Sequence, residues 1–394
     1  MAKLSKNSDT HLDYAKLLQG RYEVERLPKD FSPERAVPDY AFNVLNPLGL
    51  IYMPVVDDYF LQKGGKRPVW PEGKPFAVCL THDVDAVSLY SVRQSLKYRL
   101  GALLGASSTL EKMKALLAPS IDLTRVALNS WKGDPLHCYE SWLEVEKQVG
   151  AQSTFFFWPG WSNIKNHHSS DCTYELYDRV VFDNEKCTVA EMIQEIDERG
   201  WEIGLHSSWY SFDDVDELKR QKERLEKVVG HDIVSVRQHC LHYDIRSTPR
   251  VHSQAGFKYD STLGFNHNVG FRLGTCYPYH LYDLKEEKEL PIREIPLIIQ
   301  DAALLDPDKG MRLDDETAFQ YFNQIAGHTE KVGGVLTLLW HSNHLIKSAW
   351  WALYFRILRY LEQKNVWFAS VKEVGEYWDE EFEADYRSAI SLSK

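Results

Sequence analysis

From about residue 75 to 370 the chain alternates two patterns of apolar residues. Short apolar runs of strand length occupy Phe76 to Thr81, Ser153 to Trp158, Trp201 to Leu205, Ile233 to Val236, Val335 to Trp340 and Val366 to Ala369. Phe271-Arg272 and Ile292-Arg293-Glu294-Ile295 read as further strands, and Tyr259-Asp260-Ser261-Thr262 follows a strand start. Between these runs apolar residues recur every three or four positions, the spacing of a helix with one buried face. Val189, Met192, Ile193 and Ile196 line such a face behind a capping box from Thr188 to Glu191, and Gly200 stops the helix. Asp134-Pro135 predicts the start of a helix carrying Leu136, Tyr139 and Leu143 and ending at Gly150. Asp214 to Val229, Thr317 to Lys331 and residues 347–363 also read as helices. Repeated strand–helix alternation predicts a parallel sheet, open or closed.

The flanks break this rhythm. Residues 1–72, punctuated by Pro28, Pro33, Pro38 and the turn Asn46-Pro47-Leu48-Gly49-Leu50, read as an N-terminal extension packed on the main body, residues 73–380. Residues 86–133 form a helical insert after the first strand, and residues 381–394 a polar tail. The insert is locally basic, with Arg93, Lys97, Arg99, Lys112, Lys114, Arg125 and Lys132. A solvated helix face accounts for that basicity; a lid, a face for a homo-oligomer, or a contact with an anionic substrate or membrane surface are the alternatives.

Composition narrows the class. A chain of 394 residues that is 44% hydrophobic can bury a large core, which excludes general disorder. Its net charge of −11 argues against nucleic acid as a partner. No apolar run has the length of a signal peptide core or a transmembrane helix, so a cytoplasmic location is expected. The six cysteines are scattered without a Cys-x-x-Cys pair, so free thiols are expected in that compartment.

The candidate chemistry sits at strand ends. The first run closes on Thr81-His82-Asp83-Val84-Asp85, and Asp83 and Asp85, two apart, would face the same side if the strand continued. A metal ligand beside a catalytic carboxylate would explain the pair, as would a polar turn after a strand. Later strands deliver His206, Arg237 with His239, and His341 at the same end, where ligands bind in parallel folds. His167-His168 read as surface residues, and Trp158, Trp161, Trp209, Tyr210 and Trp340 as core, wall or a stacking surface at the rim.

Taken in order, these segments resemble the polysaccharide deacetylase family (NodB-type, carbohydrate esterase family 4). Thr81-His82-Asp83-Val84-Asp85 resembles its first motif in an Asp-x-Asp variant, and His206-Ser207-Ser208-Trp209-Tyr210 its second. Arg237-Gln238-His239-Cys240 resembles the third motif, Asp260 the acid of the fourth, and Leu339-Trp340-His341 the fifth. The resemblance covers about residues 75 to 370 and is nearest to a branch associated with bacterial surface polysaccharide (lipopolysaccharide or capsule) synthesis. It implies an α/β fold, an irregular incomplete (β/α)7-type parallel barrel. It implies a hydrolase that removes an acetyl group from an N-acetylated sugar or glycan precursor with a divalent metal, usually zinc. Asp83 then matches the general base, Asp85 and His206 metal ligands, Arg237 the residue orienting the base, and His341 the general acid. The backbone N–H of Cys240 falls where the family donates to the oxyanion.

Tyr210 stands where the family has its second metal histidine. His239, in place of the family proline, is the candidate third metal ligand, with a hydrogen-bonding role open and His242 as a weaker substitute. Two other readings keep the fold: an amidohydrolase for a small non-sugar amide, and a catalytically silent glycan-binding or assembly protein.

Overall fold

The computed structural model describes residues 12–29, 39–89, 134–160 and 168–386. Nearly all of the basic insert, together with Trp161 and His167, therefore lies outside the described residues. The body is one large sheet built from β1 (Ala77–Val84), β2 (Thr154–Phe157), β5 (Glu202–Ser207), β6 (Ser235–Gln238), β7 (Tyr259–Asp260), β8 (Tyr279–Asp283), β9 (Lys288–Glu294), β10 (Leu297–Gln300) and β11 (Val335–Leu339). Its spatial order is β10-β11-β1-β2-β5-β6-β7-β9-β8, with β12 (Trp367–Phe368) added beside the start of β1. Every neighbouring pair is parallel except β8 with β9. The two strands between, β3 (Arg179–Phe182) and β4 (Glu185–Thr188), form a separate antiparallel hairpin. The sheet is an incomplete parallel barrel: it curls but leaves β10 and β8 as edges.

The curl follows from side-chain contacts. In a flat sheet β1 and β6 would lie about 14 Å apart, three spacings of about 4.8 Å. Yet Arg237 Nη1 on β6 lies 3.4 Å from Asp83 Oδ1 on β1. Period two sets what faces inward. Thr81 is in register with Thr154 and Glu202; one step further Asp83 meets Phe156, and Phe156 meets Gly204. Gly204 is small for a reason: a Cβ there would sit 2.5 Å from the Phe156 ring. That ring in turn carries the Arg237 guanidinium, 4.7 Å from its centroid.

His82 faces the other way, into the helix layer. Its ring nitrogens lie 2.7 Å from Trp340 O and 2.6 Å from Glu146 Oε1. Glu146 also accepts from Trp201 Nε1 and Tyr354 OH, all in the dry core. Of the three ionisable residues in the first motif, His82 is thus structural.

The lower end of the barrel is plugged by the helix Val371–Glu381. Its first amides donate to Thr154 Oγ1 and Glu202 Oε2, both at 2.9 Å, which meets the need of a helix N-terminus for acceptors. The chain beyond it is not a loose tail at first: Tyr386 is buried against Phe60 and Tyr277.

Other local expectations change. Asp134 does not cap a helix; it accepts from Ser88 Oγ, Leu89 N and Leu136 N in a turn, and the helix runs from Tyr139 to Gln148. Phe271-Arg272 is not a strand. It belongs to a loop clamped by the N-terminal segment: Phe271 N donates to Ile51 O, and buried Arg272 pairs with Glu23 at 3.0 Å. Asp57 completes the clamp, accepting from Thr275 Oγ1 and, at 2.7 Å, from Cys276 N.

Burial pushes the Asp57 carboxyl up to about 7, against those hydrogen bonds. A carboxyl raised in the folded state favours folding most below its ordinary range and loses that advantage as pH rises through about 7. The stability difference between the parent and Asp57→Asn should therefore be largest near pH 4. It should shrink by roughly 2–4 kcal/mol by pH 8. Urea unfolding of both proteins across that range checks this; a difference that grows with pH contradicts it.

Candidate functional site

At the upper end of the barrel β1 gives Asp83 and, just past its end, Asp85. β5 gives His206, the turn after β6 gives His239, and the end of β11 leads to His341. Asp85 is the hub. Its Oδ1 lies 3.3 Å from His206 Nε2 and 3.8 Å from His239 Nδ1, and its Oδ2 lies 3.8 Å from His341 Nε2. Partial burial would raise the Asp85 carboxyl. The His206 hydrogen bond and the His341 and His239 charges outweigh it and hold the group well below the usual carboxylate range.

His206 is oriented from behind. Its Nδ1 lies 3.0 Å from Arg237 O, so Nδ1–H donates there and Nε2 faces Asp85. Burial opposes protonation of His206, but the Asp83 charge and the Asp85 contact raise its pKa above the ordinary value. Asp83 lies 3.9 Å from the same His206 nitrogen. It is tied to fully buried Arg237, whose Nη2 also donates to Ser261 Oγ at 2.8 Å.

His341 has a partner that the sequence reading missed. Asp301 Oδ1 holds its Nδ1 at 2.6 Å, and Asp301 Oδ2 accepts from His341 N and lies 2.7 Å from His344 Nδ1. Burial alone would lower the His341 pKa. Asp301 foremost, with Asp85 and Asp83, carries it up to about 10. Asp260, expected among the catalytic residues, is on β7 and bonds instead to His252 Nδ1 at 2.7 Å and to Thr262 Oγ1. It bears on the cluster only through the charge of Arg237. The signal for Asp301 was thin, because Leu297 to Gln300 lacks the length to stand out as a strand and Asp301 reads as an ordinary cap.

The second-motif departure is filled by aromatic packing. Trp209 stacks between His168 and His242, with centroids 4.3 and 3.9 Å away, and Tyr210 meets the edge of His168. His242 bonds to Trp209 O through Nδ1 at 2.8 Å and so serves the turn. Trp158 and Trp340 are buried wall residues. Cys240 and Leu241 both take left-handed φ, 55° and 49°, turning the chain sharply after His239.

The donor set suits a divalent metal. Ligands held at about 2.0–2.2 Å from one tetrahedral zinc lie about 3.3–3.6 Å from each other. The Asp85–His206 and Asp85–His239 separations of 3.3 and 3.8 Å lie close to that spacing, and among the described residues the three-donor groups that close within 4.8 Å are Asp85 with Cys172 and His239, and Asp301 with His341 and His344. Imidazole is a borderline donor and carboxylate a hard one, and the imidazoles favour zinc, cobalt or nickel.

No family model and no curated protein matches the chain. Solved structures do align with it, among them the following three. A putative polysaccharide deacetylase from Mycobacterium smegmatis is 18% identical, with 79% of this chain and 92% of that one covered and a TM-score of 0.48. A probable polysaccharide deacetylase from Pseudomonas aeruginosa PAO1 is 16% identical, with 80% and 95% covered and a TM-score of 0.49. Puue allantoinase is 13% identical, with 80% and 94% covered and a TM-score of 0.49. Across most of its length the chain is similar to solved polysaccharide deacetylases.

Proposed function

We propose that the protein is a divalent-metal-dependent hydrolase that releases acetate from an N-acetylated sugar. The observation that carries this is the meeting of two carboxylates and three histidines from four strand ends, with Asp83 backed by Arg237 and His341 by Asp301. Asp85, His206 and His239 would hold the ion. When bound, such an ion polarises a carbonyl and lowers the pKa of water toward about 7.

The chain's own residues do the proton work. Asp83, held beside Arg237, accepts a proton from the attacking water. His341, kept cationic by Asp301, returns one to the nitrogen as the C–N bond breaks. Water and amide thus become acetate and a free amino group, with the protons balanced. The sugar, zinc as the metal and a surface-glycan precursor as substrate come from the motif resemblance, and the cytoplasmic setting from the run lengths in the sequence. Among the described residues no helix is long and apolar enough to cross a membrane.

The test is joint. Dialysis should load one zinc per chain, and acetate release from N-acetylated amino sugars should stop on chelation and return with zinc. Asp83→Asn should keep the zinc and lose the release. Failure to bind zinc, cobalt or nickel would leave the silent glycan-binding reading. Release that survives chelation would overturn the metal's role.

A further inference from the structure

We propose that Cys172 is a ligand of the metal ion, taking the place of His206 beside Asp85 and His239 in a site of one carboxylate, one imidazole and one thiolate. This rests on the reading above for the presence of a metal, and it commits the site to thiophilic ions such as zinc and cobalt over magnesium, calcium or manganese.

The geometry points to it. Cys172 Sγ lies 3.7 Å from His239 Nδ1, and donor atoms of Asp85, Cys172 and His239 all lie within 4.8 Å of one another. With zinc–sulfur near 2.3 Å and zinc–nitrogen near 2.0–2.1 Å, a tetrahedral sulfur–nitrogen edge is about 3.6 Å. Asp85 therefore faces His206 on one side and the group of His239 and Cys172 on the other, and the proposed ion sits in that second group.

The loop that brings the thiol is fixed on both sides. Asp171 Oδ1 accepts from Trp209 N at 2.7 Å and its Oδ2 from His168 N at 2.9 Å, pinning the segment to the turn after β5. Tyr174 OH accepts from Trp158 N at 2.8 Å on the far side. Cys172 itself is 2% exposed, beside Val84 at the end of β1. The second-motif position that Tyr210 leaves without a histidine is thus offset by a donor from a different segment. Binding as thiolate releases one proton. Three protein donors leave the fourth position of a tetrahedron open for water or substrate, as in catalytic zinc sites.

The full chain, stripped by chelation and reloaded with one equivalent of cobalt(II), tests this by absorption. A thiolate-to-cobalt charge-transfer band in the near ultraviolet is expected. It should persist in Cys240→Ser and vanish in Cys172→Ser, with cobalt still bound by elemental analysis. Cys172→Ala serves as the second variant if the serine hydroxyl disturbs folding. Zinc affinity should fall in Cys172→Ser by more than the about 10–100-fold typical of losing an outer-shell partner. Cobalt bound stoichiometrically without the band, or a band that survives in Cys172→Ser, overturns the thiolate and leaves the hydrolase reading standing. No cobalt bound at all overturns both.

Discussion

Arg237→Met is expected to destabilise the protein by about 3–5 kcal/mol, the usual result of removing one partner of a buried ion pair, and to stop acetate release. Arg237 is fully buried and is the cation among Asp83, Asp260 and Glu294. Methionine would fill the volume over Phe156 but leave Asp83, itself 3% exposed, without its guanidinium. The two effects separate in a double variant. Arg237→Met with Asp83→Asn should regain part of the stability, because one buried charge is gone, while release stays absent. Urea unfolding and an acetate assay on the four members of the cycle give the answer. A double variant no more stable than Arg237→Met would show that the Asp83 charge is not what Arg237 balances.

Asp301→Asn is expected to lower kcat by about 10²–10⁴-fold, the range of a general acid's contribution. Asp301 receives three N–H donors, from His341 Nδ1, His341 N and His344 Nδ1. An amide there presents a donor to at least one of them, so the His341 ring loses its fixed tautomer and its countercharge. The sign of the titration follows. In the metal-free parent His341 keeps its proton until about pH 10. In the variant that proton should leave nearer the ordinary value of about 6.5. NMR titration of the histidines reads this directly, and the alkaline limb of the rate profile should move to lower pH. An unchanged His341 titration would remove Asp301 from the acid's machinery.

Much of this site was legible because period two and strand ends leave marks in sequence. Asp83, Asp85, His206, Arg237 and His341 each follow an apolar run, and the parallel order then places them at one end. His239 stood out as an imidazole where the motif has proline, and the structure directs it toward Asp85. Asp301 and Cys172 were not legible, since neither follows a long apolar run. Both act through contacts made across the fold, His341 with Asp301 and His239 with Cys172, and such pairs have no local period. The partners of Asp260, His252 and Thr262, were hidden for the same reason. The N-terminal segment was legible only as an interruption, because Glu23 and Asp57 spend their charges on the loop holding Arg272 and Cys276.

The pairing of β1 has a consequence for how the protein is made. Its neighbours include β11 at Val335–Leu339 and β12 at Trp367–Phe368, and the helix that plugs the lower end follows them. At about 5–20 residues/s, the first strand leaves the ribosome on the order of 10–50 s before β11 exists. Throughout that interval one edge of β1 has no mate, and the inward carboxylates of Asp83 and Asp85 have no His341 beside them. The nascent chain therefore carries a long-lived open edge that pairs last, which makes these residues a natural client surface for a holdase during synthesis.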